Sequence, residues 1–158
     1  MNLDPLQREL KKEKIAAALI TTLSDEGFQP NLQYLLSAAP HGFLVVSARG
    51  NSVLLLSPLE EAPAGVARVV VKRYDSRKHL QLLLKKHLCG KKIGIDLAFC
   101  SAQTYISLKR LLKKKLVNIS SRCSTLRTVK TKEECTLMAK ACTISDDILH
   151  SCIKRFST

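Results

Sequence analysis

The sequence predicts an α/β domain, a mixed β-sheet flanked by helices. Three observations predict it. Two apolar runs, 42–47 and 52–57, are separated only by the turn Arg49-Gly50-Asn51, which marks an antiparallel hairpin. A β-branched run follows at 66–71. Then Leu80, Leu83, Leu84 and Leu88 recur at helical spacing before the next strand, 92–95. Hairpins give antiparallel pairs and crossover helices give parallel ones, so one sheet holds both.

The elements follow in order. Asp4 and Pro5 suit the N-cap and first position of a helix, with Leu6 and Leu10 as its apolar face as far as Lys14. Residues 15–21 read as a buried strand, and Ser24-Asp25-Glu26-Gly27 as a loop. Residues 30–37 form a short helical turn. The hairpin and the third strand come next, then a helix over 76–87. The strand at 92–95 follows Gly90 and ends at Asp96. A basic amphipathic helix runs from about 101 to 115, followed by a short apolar stretch, 116–119. The segment 126–134 starts a helix that continues to the end of the chain. Within it, Thr131 and Glu134 stand at the spacing of a capping box. That helix sets Cys135, Met138, Cys142, Ser145, Leu149, Cys152 and Phe156 along one side, a face long enough to need a partner surface.

At 158 residues the chain is one domain, or one domain and the start of another. Trp is absent, so the core is built from Leu, Ile, Val and Ala. The net charge of +13 invites a polyanionic partner, but the cations are scattered. No nucleic-acid-binding signature accompanies them, which favours solvated helix faces. The stretch 108–115 could lie on a membrane or in a nucleic-acid groove. Leu108, Leu111 and Leu112 at core spacing instead favour a sheet-covering helix.

The six Cys lie in the second half without a Cys-x-x-Cys pair. Cys135, Cys142 and Cys152 suit small buried thiols. With a charged N-terminus lacking a secretory pattern, they point to the cytoplasm and free thiols. No apolar run reaches bilayer length.

Ser120, Ser121 and Ser124 near Cys123 lack a nucleophile elbow or a Cys-His signature. They are expected in a structural loop, where Cys123 would be open to thiol reagents if exposed. Asp146 and Asp147 are adjacent on a helix and are expected to face solvent rather than ligate metal. His79 and His87 sit among Lys and Arg as surface histidines.

Three patches together resemble a known family. Asn31-Leu32-Gln33-Tyr34-Leu35 is similar to the Asn-Ile-x-Tyr-Leu of the creatinase/prolidase N-terminal domain. Ile93-Gly94-Ile95-Asp96 is similar to its Ile-Gly-Ile/Val-Asp/Glu strand. The segment from Leu126-Arg127 to Glu134 is similar to its Leu-Arg-x-Ile-Lys-Ser-x-x-Glu, and continues into Ala141 and Asp146. The resemblance implies a ribonuclease-H-like layering for residues 1–120. It makes 121–158 the linker and first helix of a truncated peptidase domain.

The resemblance further implies the non-catalytic front domain of an Xaa-Pro dipeptidase or aminopeptidase, contributing to substrate access and dimerisation. The chain itself would be inactive. The implied partners are a second copy in a homodimer, the missing catalytic domain and a proline-containing peptide, with no membrane or nucleic acid. Two divalent ions (Mn, Co, Fe or Zn) would be held by two Asp, one His and two Glu of that missing domain. No catalytic or metal-binding residue is assigned within this chain. The family's Thr-Gly-Phe loop is replaced here by 36–42, so Ser37 and His41 are the candidate residues of a substrate-access or dimer loop. The alternative function is a stand-alone basic module that binds nucleic acid or an acidic protein.

Overall fold

The computed structural model describes residues 3–22, 29–38, 40–63 and 68–156. Two compact units divide the chain, 1–127 and 128–158.

The first unit is built on a six-stranded sheet. Its strands are β1 (Ala17–Thr21), β2 (Gly42–Ser47), β3 (Ser52–Leu56), β4 (Val69–Arg73), β5 (Lys92–Ile95) and β6 (Lys115–Asn118). The order across the sheet is β4-β3-β2-β1-β5-β6. The expected hairpin is β2–β3, antiparallel with Val45 opposite Val53. β1 pairs antiparallel with β2 and parallel with β5, while β3–β4 and β5–β6 are parallel. The sheet is therefore mixed, as the hairpin and the crossover helices require.

Helices α1 (Leu3–Lys12), α2 (Pro30–Leu36), α3 (Arg77–His87), α4 (Ala102–Leu112) and α5 (Ser120–Thr128) cover both faces. Alternate residues along each strand serve opposite cores. Ala18 and Ile20 of β1 join Leu6, Leu10, Leu32, Leu35 and Cys123 from α1, α2 and α5. Ala17 and Leu19 join Leu84, Leu88, Leu108 and Leu112 on the side of α3 and α4. The central strands are buried on both sides, which is why they read as continuous apolar runs.

Several boundaries differ from the sequence expectation. Asp4 lies inside α1 rather than at its cap, and its carboxylate accepts from Arg68 Nη1 at 2.7 Å. α1 stops at Lys12 because Lys14 takes a left-handed backbone, φ 58°. The amides of Lys14 and Ile15 then bond back to the carbonyls of Lys11 (3.1 Å) and Leu10 (2.9 Å). This is a Schellman motif with lysine in the usual glycine position, sealed by buried Leu10 and Ile15. The third strand is Val69–Arg73, and residues 64–67 lie outside the described residues, as does the expected loop at 24–27.

The segment around Ser120 is a helix, not a loop. Asn118 Oδ1 accepts from the backbone amide of Ser120 at 2.9 Å and from its hydroxyl at 2.7 Å, starting α5. Cys123 is buried in the core, so α5 belongs to the first unit, which runs past the boundary expected near 120. The final helix does not begin at 126; α5 ends at Thr128 first.

The second unit holds α6 (Lys132–Phe156), a helix of 25 residues. Its capping box forms as read: Glu134 N–H donates to Thr131 Oγ1 (3.2 Å) and Thr131 N–H to Glu134 Oε2 (2.7 Å). None of its described residues is buried. Cys135, Cys142 and Cys152, expected to be buried, are exposed. At 100° per residue, exposed Leu137, Ile144 and Ile148 widen the apolar stripe to an arc of roughly 180°. Asp146 and Asp147 are exposed.

Candidate functional site: the loop before the first hairpin

The loop joining α2 to β2 carries both residues singled out from the sequence. Ser37 caps α2 in a left-handed conformation, φ 56° and ψ 26°, and is exposed. His41 is exposed as well, and its backbone N–H donates to Glu60 Oε2 at 3.4 Å. The loop is anchored where it enters the sheet. Gly42 N–H donates to Thr22 Oγ1 at 2.9 Å, and Thr22 N–H donates to Gly42 O at 3.3 Å. A Cβ at Gly42 would stand 2.6 Å from the Leu55 carbonyl oxygen, so only glycine fits there.

Beside this anchor lies a small concavity of about 160 Å³ lined by Thr22, His41, Phe43, Ser57, Glu60 and Tyr74. Arg73 Nη1 donates to the carbonyls of Ser57 (3.0 Å), Pro58 (3.2 Å) and Glu60 (2.7 Å), which fixes the segment bearing Glu60. Phe43 and Tyr74 meet edge to face, with centroids 6.0 Å apart. Burial, and then the Glu60 charge, push the Tyr74 hydroxyl above its ordinary value. The site thus offers a carboxylate, an imidazole and a phenol, groups that can hydrogen-bond a peptide. Ser37 shares the loop but does not line this concavity. Glu60 and Tyr74 had no motif to mark them in the sequence.

A second polar cluster is buried. Asp96, 2% exposed, receives Gln29 Nε2 at 2.9 Å and Asn31 Nδ2 at 2.6 Å on the same oxygen. Gln29 also caps α2, its Oε1 accepting from Leu32 N–H at 2.9 Å. Tyr34 hydroxyl donates to the Leu126 carbonyl at 2.9 Å. Segment 31–35 is therefore in direct contact both with 93–96 and with the start of 126–134. Gly94 belongs to the same packing, since a Cβ there would meet Ile119 Cγ2 at 2.9 Å.

Cys123 is buried, not open to reagents as a loop thiol would be. Burial and then the Asp96 charge push its thiol from 9.0 up to about 12. A dinuclear metal centre needs several carboxylates and an imidazole together. Among the described residues no group of three or more His, Cys, Asp or Glu is placed to hold a metal ion, so they do not fit such a centre. Also among the described residues, no helix is long and apolar enough to cross a membrane.

The family model of the creatinase/prolidase N-terminal domain matches residues 3–129. The chain belongs to this family. A prolidase from Pyrococcus horikoshii OT3 superposes with a TM-score of 0.73 at 18% identity, covering 96% of this chain and 42% of that one. An Xaa-Pro dipeptidase from Bacillus anthracis gives 0.78 at 16% identity, covering 94% and 41%. The creatinase/prolidase N-terminal domain of an X-Pro dipeptidase from Streptococcus pyogenes gives 0.62 at 16%, covering 78% and 96%. At these identities the likeness is one of fold. The creatinase/prolidase-type chain spans less than half the length of the Pyrococcus and Bacillus proteins. No curated protein sequence matches it.

Proposed function

We propose that this chain is the non-catalytic front domain of an Xaa-Pro dipeptidase- or aminopeptidase-like metallopeptidase, and that it shapes substrate access and supports a homodimer. The observation that carries the reading is the contact among the three family-like segments, Asn31 to Asp96 and Tyr34 to Leu126, in a chain the family model matches over 3–129. The uncovered apolar arc of α6 supports placing 128–158 against a further domain. The two divalent ions, the proline-containing peptide's scissile bond and the cytoplasmic location belong to that whole protein.

His41 and Glu60 are the side chains proposed to meet substrate or a partner subunit, because they line the concavity at an exposed loop. The test is a chimera in which residues 1–158 replace the matching front part of the Bacillus anthracis dipeptidase. Retained Xaa-Pro hydrolysis and dimer mass, with His41→Ala raising KM and sparing kcat, is the expected result. An active chimera indifferent to His41→Ala would remove the loop's role. A monomeric chimera would remove the dimer role. Metal-dependent Xaa-Pro turnover by residues 1–158 alone would overturn the non-catalytic assignment.

A further inference from the structure

At the end of the sheet where β1, β5 and β6 begin, a cavity of about 500 Å³ opens away from the His41 loop. Its apolar floor is Ile15, Ala16, Ala17 and Ala48, and its cations are Lys11, Lys14 and Arg49. No Asp or Glu lines it. Among the described residues none of these three cations pairs with a carboxylate. The volume lies in the range that holds small ligands.

The three cations stand on backbones already fixed. Lys11 is in the last turn of α1. Lys14 is held left-handed by the Schellman bonds. Arg49 sits in a turn tied at several points. Ser47 Oγ donates to Arg49 O at 2.6 Å, and Gln7 Nε2 donates to Ser47 O (2.8 Å) and Gly50 O (3.2 Å). Gly90, at φ 108°, completes the wall, where a Cβ would overlap Ala16 Cβ at 2.3 Å.

A helix C-terminus attracts cations for its own sake, and that accounts for Lys11, Lys85 and Lys86. It does not account for Lys14, beyond the helix, or for Arg49 in a strand turn. Lys91 and Lys115, at the starts of β5 and β6, strengthen the positive potential at the same end. His87 also lines the cavity, and its Nε2 is buried without a hydrogen-bond partner among the described residues.

We propose that this cavity binds a small phosphorylated molecule that carries two or more negative charges and an apolar portion. Three exposed cations around one cavity exceed what one carboxylate would neutralise, whereas a phosphate presents several acceptor oxygens to several donors. The alanine and isoleucine floor takes the uncharged portion. A polynucleotide is the lesser fit, because the lining holds no Phe, Tyr or Trp on which successive bases would stack. The proposal is independent of the peptidase reading, since it concerns neither the His41 loop nor α6.

The test is calorimetric titration of the whole chain with AMP, inorganic phosphate, adenosine and a single-stranded oligonucleotide. Two variants of equal net charge are compared, Lys11→Gln/Arg49→Gln in the cavity and Arg77→Gln/Lys78→Gln at the N-terminal end of α3, away from it. One-site, saturable AMP binding is expected, tighter than phosphate, with adenosine silent. The cavity variant should weaken it about tenfold or more, while the remote variant leaves it within about twofold. Absence of saturable AMP binding at millimolar concentration overturns the proposal. So does equal loss in both variants, AMP no tighter than phosphate, or saturable binding of the oligonucleotide alone.

Discussion

Asn31 donates its side-chain amide to the Asp96 carboxylate across 2.6 Å, joining positions 65 residues apart. Both residues are buried, and Gln29 is the second donor to the same oxygen. A buried carboxylate that loses a donor keeps its desolvation cost without the compensating bond.

Asn31→Leu should therefore destabilise the first unit by about 2–3 kcal/mol. Urea unfolding followed by tyrosine fluorescence measures it. A midpoint unchanged from the parent would show that Asp96 does not depend on this bond.

Gly90 and Gly50 separate two costs of the same backbone geometry. Both have positive φ, but a Cβ at Gly50 meets nothing within 4 Å, whereas one at Gly90 meets Ala16 at 2.3 Å. Gly50→Ala should cost about 1 kcal/mol from conformation alone. Gly90→Ala should cost about 2 kcal/mol more, because Ala16, just ahead of β1, and the 88–92 turn must part. Equal melting temperatures for the two variants would contradict the close approach.

The Cys123 thiol predicts an alkaline weak point. Its folded value of about 12 lies above the ordinary 9.0, so the folded state holds a proton that the unfolded chain gives up between those values. Stability is unaffected below about pH 9 and falls as pH rises through this window, by up to about 1.4 kcal/mol per unit. Cys123→Ala should be less stable at pH 7 yet should lose stability less steeply above pH 9. Parallel pH profiles for the two proteins would count against the buried thiol. In the native protein at pH 8, Cys89, Cys135, Cys142 and Cys152 should react with a thiol reagent well before Cys123.

The capping box at Thr131 offers a local test. Thr131→Ala removes the acceptor for Glu134 N–H and should cost the start of α6 about 1 kcal/mol. Hydrogen exchange at 132–136 should accelerate several-fold while the sheet amides of β1 keep their protection. Uniform acceleration throughout would show that the effect is not local.

The hairpin, the parallel strands and α3 were legible because each is a run or a period of apolar residues that needs no distant partner to be read. α5 was not. Its sequence is rich in serine, a weak helix former, and the helix depends on Asn118 at its start and on Cys123 reaching the core. The family-like segments were visible as local patterns, yet their contacts were not, because Asn31, Asp96 and Leu126 meet only after the sheet has formed. His41 was read as a loop residue and lies, exposed, between α2 and β2. Glu60 and Tyr74, which share its concavity, come from segments with no periodic signal of their own. The basic residues looked scattered along the chain. Alternating strands and helices return the ends of α1 and α3 and the starts of β5 and β6 to one end of the sheet, a rearrangement that composition does not reveal.

The lysine at position 14 has a bearing on protein engineering. A left-handed residue with a side chain costs about 1 kcal/mol more than glycine would, and the Schellman turn around it is otherwise complete. Lys14→Gly is thus a route to a more thermostable domain, and one that removes a cation from the cavity. A gain in melting temperature at this position accompanied by weaker AMP binding would mark Lys14 as a residue kept at the expense of robustness.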